Sequence, residues 1–349
     1  MKKVKLGFVG AGFNGQLAFL ENFSKNKNCK ILGLAEHRVA LRKKVCKKYN
    51  ILNQYKSHND LQKDINKYDG VVIVTKRNMM PAIAYNFLKL GKPILTEKPM
   101  AMNLQQANKL LIRAKKYQTE YKVGYNKIYD EGVIKAKKEF DKILKNKSLG
   151  KIVLIRSHRL SGSGYDDKNF YIKSSEKNSL STPFWPLKLN WLPQKYHKSY
   201  EKYLNLYCHN LSLLRYFTNE TPKVEKSILS DESMSIVNLK YKKFNAILET
   251  GFFTKNGWDE TFDIYFEFGS IQIKLPPQHH KNKSASFVIN KNFTQKLYRF
   301  DSKRSWSFKG QCNAFIQDIK NKKVKINKAK DGVKDMELIE KIWKNFLSK

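Results

Sequence analysis

The chain has 349 residues, enough for two domains. A hydrophobic fraction of 41% supplies real cores and excludes global disorder, and no apolar run approaches the roughly eighteen residues of a membrane span. Lys and Arg total 68 against 30 acids, a net charge of +38. That excess is mostly composition: 59 of the 68 are Lys, spread along the chain without a run of five. A surface built for phosphate forks or base edges favours Arg, so no nucleic-acid partner and no membrane surface is expected. Leu6 to Leu20 is apolar enough to resemble a secretory signal, but Gly7, Gly10, Gly12, Asn14 and Gly15 break it. Cys29, Cys46, Cys208 and Cys312 are scattered, without a CxxC, which fits a reducing, cytoplasmic compartment and no structural zinc. His279-His280 lacks a third ligand, so no metal is expected.

In chain order, Val4 to Val9 reads as a buried strand, followed by a glycine turn and a helix to about Phe23. A strand over Lys30 to Ala35 precedes a helix over Val39 to Tyr49. GVVIVT, Gly70 to Thr75, is a β-branched strand. Pro81 to Leu90 is a helix, Ile94 to Thr96 a strand, Leu104 to Tyr117 a helix and Tyr121 to Tyr125 a strand. Such alternation predicts an α/β Rossmann domain over residues 1–125, with right-handed crossovers on a parallel sheet. Residues 126–349 predict an α+β domain with a large, mostly antiparallel open sheet. Its elements are a strand over Lys151 to Leu160, an irregular insertion over Ser161 to Tyr203 and a helix over Tyr203 to Phe217. Strand-like runs then occupy Val224 to Phe300, and helices close the chain at Phe308 to Ile319 and at Val333 to Phe346, the last expected to pack back on the first domain. An open sheet of this size predicts a homo-oligomer.

Gly10-Ala11-Gly12-Phe13-Asn14-Gly15 is a GxGxxG directly after a strand and opening a helix, the context a dinucleotide fingerprint needs. Gly10 permits the tight turn, Gly12 lets a pyrophosphate approach the backbone, and Gly15 lets helix and strand pack closely. The following helix start offers free N–H groups and partial positive charge. Glu36 ends the second strand, where a carboxylate accepts ribose hydroxyls and repels a 2′-phosphate, so NAD is favoured over NADP. Arg38 follows, placed to meet a 2′-phosphate or to stack on adenine. Thr96-Glu97-Lys98-Pro99 sits at a strand end, the edge where open parallel sheets bind ligands; the proline forces Lys98 extended and allows a cis bond.

Taken together, GAGFNG after the first strand, the acid after the second, Glu97-Lys98-Pro99 and His209 resemble the glucose–fructose oxidoreductase and inositol dehydrogenase family (Gfo/Idh/MocA). Gly124-Tyr125-Asn126, Leu149-Gly150-Lys151-Ile152 and Ala314-Phe315-Ile316 extend the resemblance over most of the chain. It is more similar to members from surface-polysaccharide and nucleotide-sugar gene clusters than to inositol dehydrogenases. The resemblance implies reversible hydride transfer between nicotinamide and a carbinol or keto carbon of a sugar or nucleotide sugar. It implies that Lys98 and His209 are catalytic, and that Gly10, Gly12, Phe13, Asn14, Gly15, Glu36, Arg38, Thr75, Glu97 and Lys98 hold the cofactor. Two departures are visible: Asn205 stands where the family often has Asp, and Thr75-Lys76-Arg77-Asn78 where it usually has Pro. The alternative reading is a non-catalytic dinucleotide-binding regulator of the same fold, which retention of both Lys98 and His209 disfavours.

The chemistry agrees. Removing hydride from a carbinol carbon also requires the hydroxyl proton to leave, and neutral imidazole, with an intrinsic pKa near about 6.5, accepts it. Lys98 stabilises the developing alkoxide. Asn205 and His209 lie one helical turn apart and address one substrate. Lys127, after Asn126, either faces substrate or is solvated. Tyr165, Tyr171, Tyr196, Tyr200, Tyr203, Tyr207, Trp185 and Trp191 either stack on a sugar, with Tyr165 the candidate, or pack the insertion.

Overall fold

The computed structural model describes residues 2–162, 171–176, 182–230, 234–252, 257–291, 294–298 and 305–348. Tyr165 lies outside them. The chain divides into two units. The first takes in the described residues up to Tyr125, those of 167–189, and Gln311–Met336; the second takes in the rest. Part of the insertion and part of the closing helices thus belong with the nucleotide-type sheet rather than with the second unit.

In the first unit the strands are β1 (Val4–Val9), β2 (Cys29–Ala35), β3 (Asn53–Tyr55), β4 (Gly70–Ile73), β5 (Ile94–Glu97) and β6 (Tyr121–Gly124). They form one sheet in the order β3-β2-β1-β4-β5-β6, every neighbour parallel. β4, β5 and β6 are buried along their whole length; β4 accordingly reads as a continuous apolar run, whereas buried Glu97 ends β5 and buried Lys122 interrupts β6. β3 is too short and polar to announce itself in the sequence. Helices Val39–Tyr49, Met80–Leu88 and Leu104–Lys116 cross over between strands. Asn103 caps the last by accepting the Gln106 N–H at 2.8 Å.

One expectation is corrected. The segment after the glycine turn is not a single α-helix: Gly15–Leu20 is wound as a π-helix and only Glu21–Ser24 is α. All six π residues are buried, so the segment packs around its whole circumference rather than along one apolar stripe.

The edge strand β6 is covered by chain returning from far downstream. Val123 donates to the Asn327 carbonyl at 2.8 Å, and Lys122 pairs with Lys328 in an isolated antiparallel bridge. The Lys122 ammonium is buried and ion-paired with Asp318.

In the second unit, β7 (Ile152–Ser161), β8 (Lys223–Leu229), β9 (Met234–Lys240), β10 (Asn245–Gly251), β11 (Trp258–Phe266), β12 (Gly269–Lys274), β13 (Ser286–Lys291) and β14 (Thr294–Tyr298) form a sheet in the order β14-β13-β12-β11-β7-β10-β9-β8. Only the central β7–β10 pair is parallel among the described strands; the other neighbours are antiparallel. One face buries Ile155 of β7, Leu248 of β10 and Phe262 and Ile264 of β11. Helix Glu131–Asn146, unexpected from the sequence, presents Val133, Ala136, Phe140 and Ile143 inward. Phe140 meets Phe217 of helix His197–Thr218 edge-on at 5.5 Å, and Phe217 stacks on Phe262 at 4.8 Å. The opposite face carries the Arg156–Glu249–His158 ion-pair group and the exposed side chains of Ile228, Met234 and Ile236.

Most insertion and helix aromatics are packing groups. Tyr196, Tyr200 and Tyr203 each set a ring against Trp343 at 6.1, 5.6 and 6.0 Å, and Trp191 meets Tyr200 at 6.2 Å. In the first unit Trp185 lies on Tyr85 at 5.3 Å. Trp343 is 2% exposed. Trp343→Ala should therefore destabilise the fold by about 3–5 kcal/mol, the usual range for emptying a buried aromatic site. Urea unfolding measures this, and an unchanged midpoint would show that the cluster is not a core.

Candidate active site

The carboxyl ends of β1, β2, β4 and β5 meet at one edge of the first sheet, where the strand order reverses between β1 and β4. Backbone bonds fix the loop after β1: Gly10 N–H donates to Ala35 O and Val74 N–H to Val9 O, both at 2.9 Å. Gly10 has φ +91°, and a side chain there would collide with Val74 O, so the turn requires glycine twice over. A Cβ on Gly15 would stand 2.8 Å from Gly10 O. At Gly12 a Cβ would meet nothing within 4 Å. Gly10 and Gly15 are therefore required by the protein's own packing, whereas Gly12 keeps open a face that none of the described residues fills.

Glu36, buried at the end of β2, is bonded on all sides. Oε2 accepts the Ala11 N–H and the Arg38 Nη2, both at 2.9 Å; Oε1 accepts the Arg38 Nε at 2.8 Å and the Arg38 N–H at 3.1 Å. Burial raises its pKa, but the Arg38 guanidinium and the Ala11 and Arg38 N–H groups outweigh this, and the carboxyl titrates below its ordinary range. Arg38, expected to meet a phosphate or an adenine, is held by Glu36. Thr75, just past β4, has a buried Oγ1 without a hydrogen-bond partner. Glu97 ends β5 buried; loss of water pushes its pKa up to about 6 against the pull of Lys98, whose N–H it accepts at 2.7 Å. Lys98 follows, half-buried, and the Lys98–Pro99 bond is cis. Phe13 lies edge-on to Tyr171 at 5.0 Å, and Asn14 is half-buried in the loop. An open face at Gly12, an orphaned Thr75 hydroxyl and a helix start beside them suit a dinucleotide.

In the second unit, His209 is 1% exposed on helix His197–Thr218, and half-buried Asn205 lies one turn before it. Lys127 is not solvated. It is 3% exposed, ion-paired with Glu260 of β11, and 5.8 Å from the centre of the Trp258 ring. Arg159 of β7 sits over the same ring at 4.9 Å and donates to Leu206 O of the His209 helix at 2.5 Å. Burial, only partly offset by Glu260, pushes the Lys127 ammonium down to about 8. Glu260 Oε2, Arg159 Nε and Trp258 Nε1 are buried without hydrogen-bond partners among the described residues. Glu260 and Arg159 were missed from the sequence, though each left a signal: both are charges in phase with the inward apolar positions of their strands, Glu260 with Phe262 and Ile264, Arg159 with Ile155.

Fold and loop define a two-unit protein with a dinucleotide-type Rossmann domain. Residues 4–125 match the family Gfo/Idh/MocA, described as an oxidoreductase family with an NAD-binding Rossmann fold. Residues 4–125 are thus similar to the NAD-binding part of that family, and the resemblance seen in the sequence is borne out over them. The rhizopine catabolism protein MocA of Rhizobium meliloti is 28% identical over 125 residues, which span 36% of this chain and 38% of that protein's length. The fold extends further. An aldose-aldose oxidoreductase from Caulobacter crescentus, complexed with glycerol, superposes with a TM-score of 0.78 at 15% identity, over 99% of this chain and 98% of the other. A 3-ketoreductase from Actinomadura kijaniata, in complex with NADP, gives 0.74 at 12% identity, over 99% and 98%.

Two outcomes follow from this geometry. Gly12→Val should abolish NADH binding while the unfolding midpoint stays put, because the added atoms enter open space. Gly15→Ala should instead cost about 1–3 kcal/mol of stability through overpacking. Fluorescence titration beside urea unfolding separates the two, and full NADH affinity in Gly12→Val would remove the loop from the site.

Lys127→Met strands a buried Glu260 carboxylate and should cost about 3–5 kcal/mol; adding Glu260→Gln should restore part of that loss. The folded lysine releases its proton at about 8, before the unfolded one at 10.5. The unfolded chain binds more protons in that window, so wild-type stability should rise with pH there. The rise should vanish in the double variant; its persistence would contradict the burial of this ammonium.

Proposed function

We propose that the protein is an NAD-dependent oxidoreductase that moves a hydride between nicotinamide and a carbinol or keto carbon of a sugar or nucleotide sugar. The single observation that carries the reading is the family match of residues 4–125, over a glycine loop that leaves Gly12 facing open space. Gly10 to Gly15, Glu36, Arg38, Thr75 and Glu97 hold the dinucleotide, and bound nicotinamide supplies the hydride acceptor or donor. His209 takes the proton from the substrate hydroxyl in oxidation and returns it in reduction. The Lys98 ammonium steadies the oxygen as charge develops on it. Asn205 orients a substrate hydroxyl without placing a negative charge one turn from His209, as Asp would. Lys127, held by Glu260, shapes the polar floor beside the His209 helix.

Surface-polysaccharide precursors are the sugar class that the sequence resemblance favours, and the compartment is the cytoplasm. The open sheet face, with exposed Ile228, Met234 and Ile236 on its outer strands, supports association into a homo-oligomer.

Hydride transfer to or from a panel of sugars and nucleotide sugars tests this reading. On an identified substrate, His209→Ala should lower turnover by about 10²–10⁴ with NADH binding retained, the usual range for a general base. Lys98→Met should be similarly damaging. Asn205→Asp adds a negative charge near the imidazole, favours its protonated form, and should move the rising, acidic limb of the oxidation profile to higher pH. Near-full turnover in His209→Ala would refute the acid–base assignment.

A further inference from the structure

The insertion returns to the first unit and lies along the dinucleotide edge. The Gln16 side chain clamps Ile172 in both directions, donating to its carbonyl at 3.0 Å and accepting its N–H at 2.8 Å. Tyr171 meets Phe13 of the glycine loop. Four residues after Ile172, the Glu176 carboxylate accepts free N–H groups in the first turn of helix Val39–Tyr49, from Ala40 and Leu41, each at 3.1 Å. Ser174 holds the same carboxylate with its hydroxyl at 3.1 Å. These bonds keep Glu176 ionised, its carboxyl below the ordinary range.

The position matters because of what lies beside it. In a Rossmann domain the adenosine ribose is met at the end of the second strand, and a 2′-phosphate is met by an arginine there. Here that place holds Glu36, His37 and Arg38, immediately before the helix that Glu176 caps. A 2′-phosphate would draw on the Arg38 guanidinium and the exposed N–H groups of the helix start. Both are engaged by carboxylates: Arg38 by Glu36, and the Ala40 and Leu41 N–H groups by Glu176. A neutral ribose diol needs only to share Glu36. A phosphate dianion must displace one carboxylate and sit beside the other.

We propose that Glu176 is a specificity-determining residue: the insertion supplies an internal carboxylate at the 2′-phosphate position, and this sets the preference for NAD over NADP. Glu36 alone does not set it, because the carboxylate that occupies the helix start comes from 140 residues further along the chain. The inference rests on the reading that the glycine loop binds a dinucleotide.

Dissociation constants for NADH and NADPH, measured by fluorescence titration on the full chain, test it. Wild type should prefer NADH. Glu176→Gln should tighten NADPH on the order of tenfold relative to NADH, since a like charge is removed beside the phosphate. The gain should shrink at high salt, as a charge effect does and a packing effect does not. Tyr171→Ala, which removes the ring against Phe13 but leaves Glu176 held by Ala40, Leu41 and Ser174, should leave the NADPH/NADH ratio at the wild-type value. An unchanged ratio in Glu176→Gln, or an equal change in Tyr171→Ala, would overturn the assignment. Wild-type protein that binds neither nucleotide would instead defeat the dinucleotide reading itself.

Discussion

The Glu36 carboxylate fastens three separate pieces of chain. It takes the backbone N–H of Ala11 in the glycine loop, closes on the guanidinium of Arg38, and ends the strand that lies beside β1. Its own carbonyl accepts Arg42 Nη1 at 2.5 Å, which ties the following helix to the same point. A buried carboxylate that is fully hydrogen-bonded is tolerable, and one left unpaired is not, so each partner is constrained to its place. The loop geometry at Gly10, the exposed face at Gly12 and the approach of the insertion all build on this fixed corner. A single acid at a strand end therefore has a positioning role as well as any contact with ribose.

The second unit depends on a different arrangement. Two cations, Lys127 and Arg159, and one acid, Glu260, are enclosed beneath the helix that carries His209, with Trp258 beneath both cations. An apolar filling would hold the sheet to the helix at least as well, because burying charge is costly even when it is paired. The cluster instead places polar groups against the helix, Arg159 donating to the Leu206 carbonyl. The aromatic groups do the opposite work: Trp343 collects three tyrosine rings and supplies the packing that the charged cluster does not.

Much of this was legible in the sequence wherever periodicity and glycine chemistry agree. The Rossmann strands β1, β2, β4, β5 and β6 announce themselves because parallel strands buried on both faces are mostly apolar, broken only by single polar residues such as Lys5, Lys30, Glu97 and Lys122. Gly10, Gly12 and Gly15 are legible through steric roles that the structure separates cleanly. Helix Glu131–Asn146 was hidden by its lysines, although Val133, Ala136, Phe140 and Ile143 keep helical spacing. Lys127 read as either facing substrate or solvated, because lysine is abundant everywhere in this chain, and only its tertiary partner Glu260 makes burial tolerable. Glu176 carried no signal at all: a lone acid in an irregular stretch becomes meaningful only when the chain returns to a helix start 136 residues earlier.

The cover over β6 bears on the order in which the protein can be made. The strand ends by Gly124, well before the middle of the sequence, but the carboxylate that compensates buried Lys122 is Asp318, and the backbone partner of Val123 is Asn327. While the ribosome is still producing the second unit, the six-stranded sheet has an ammonium facing its interior without that carboxylate, and one strand edge without its cover. The nascent nucleotide-type half must therefore wait in an incomplete form for some two hundred residues of synthesis, during which the open edge is available to other strands. Completion comes from the far end of the chain, so the two halves mature together even though each has its own sheet.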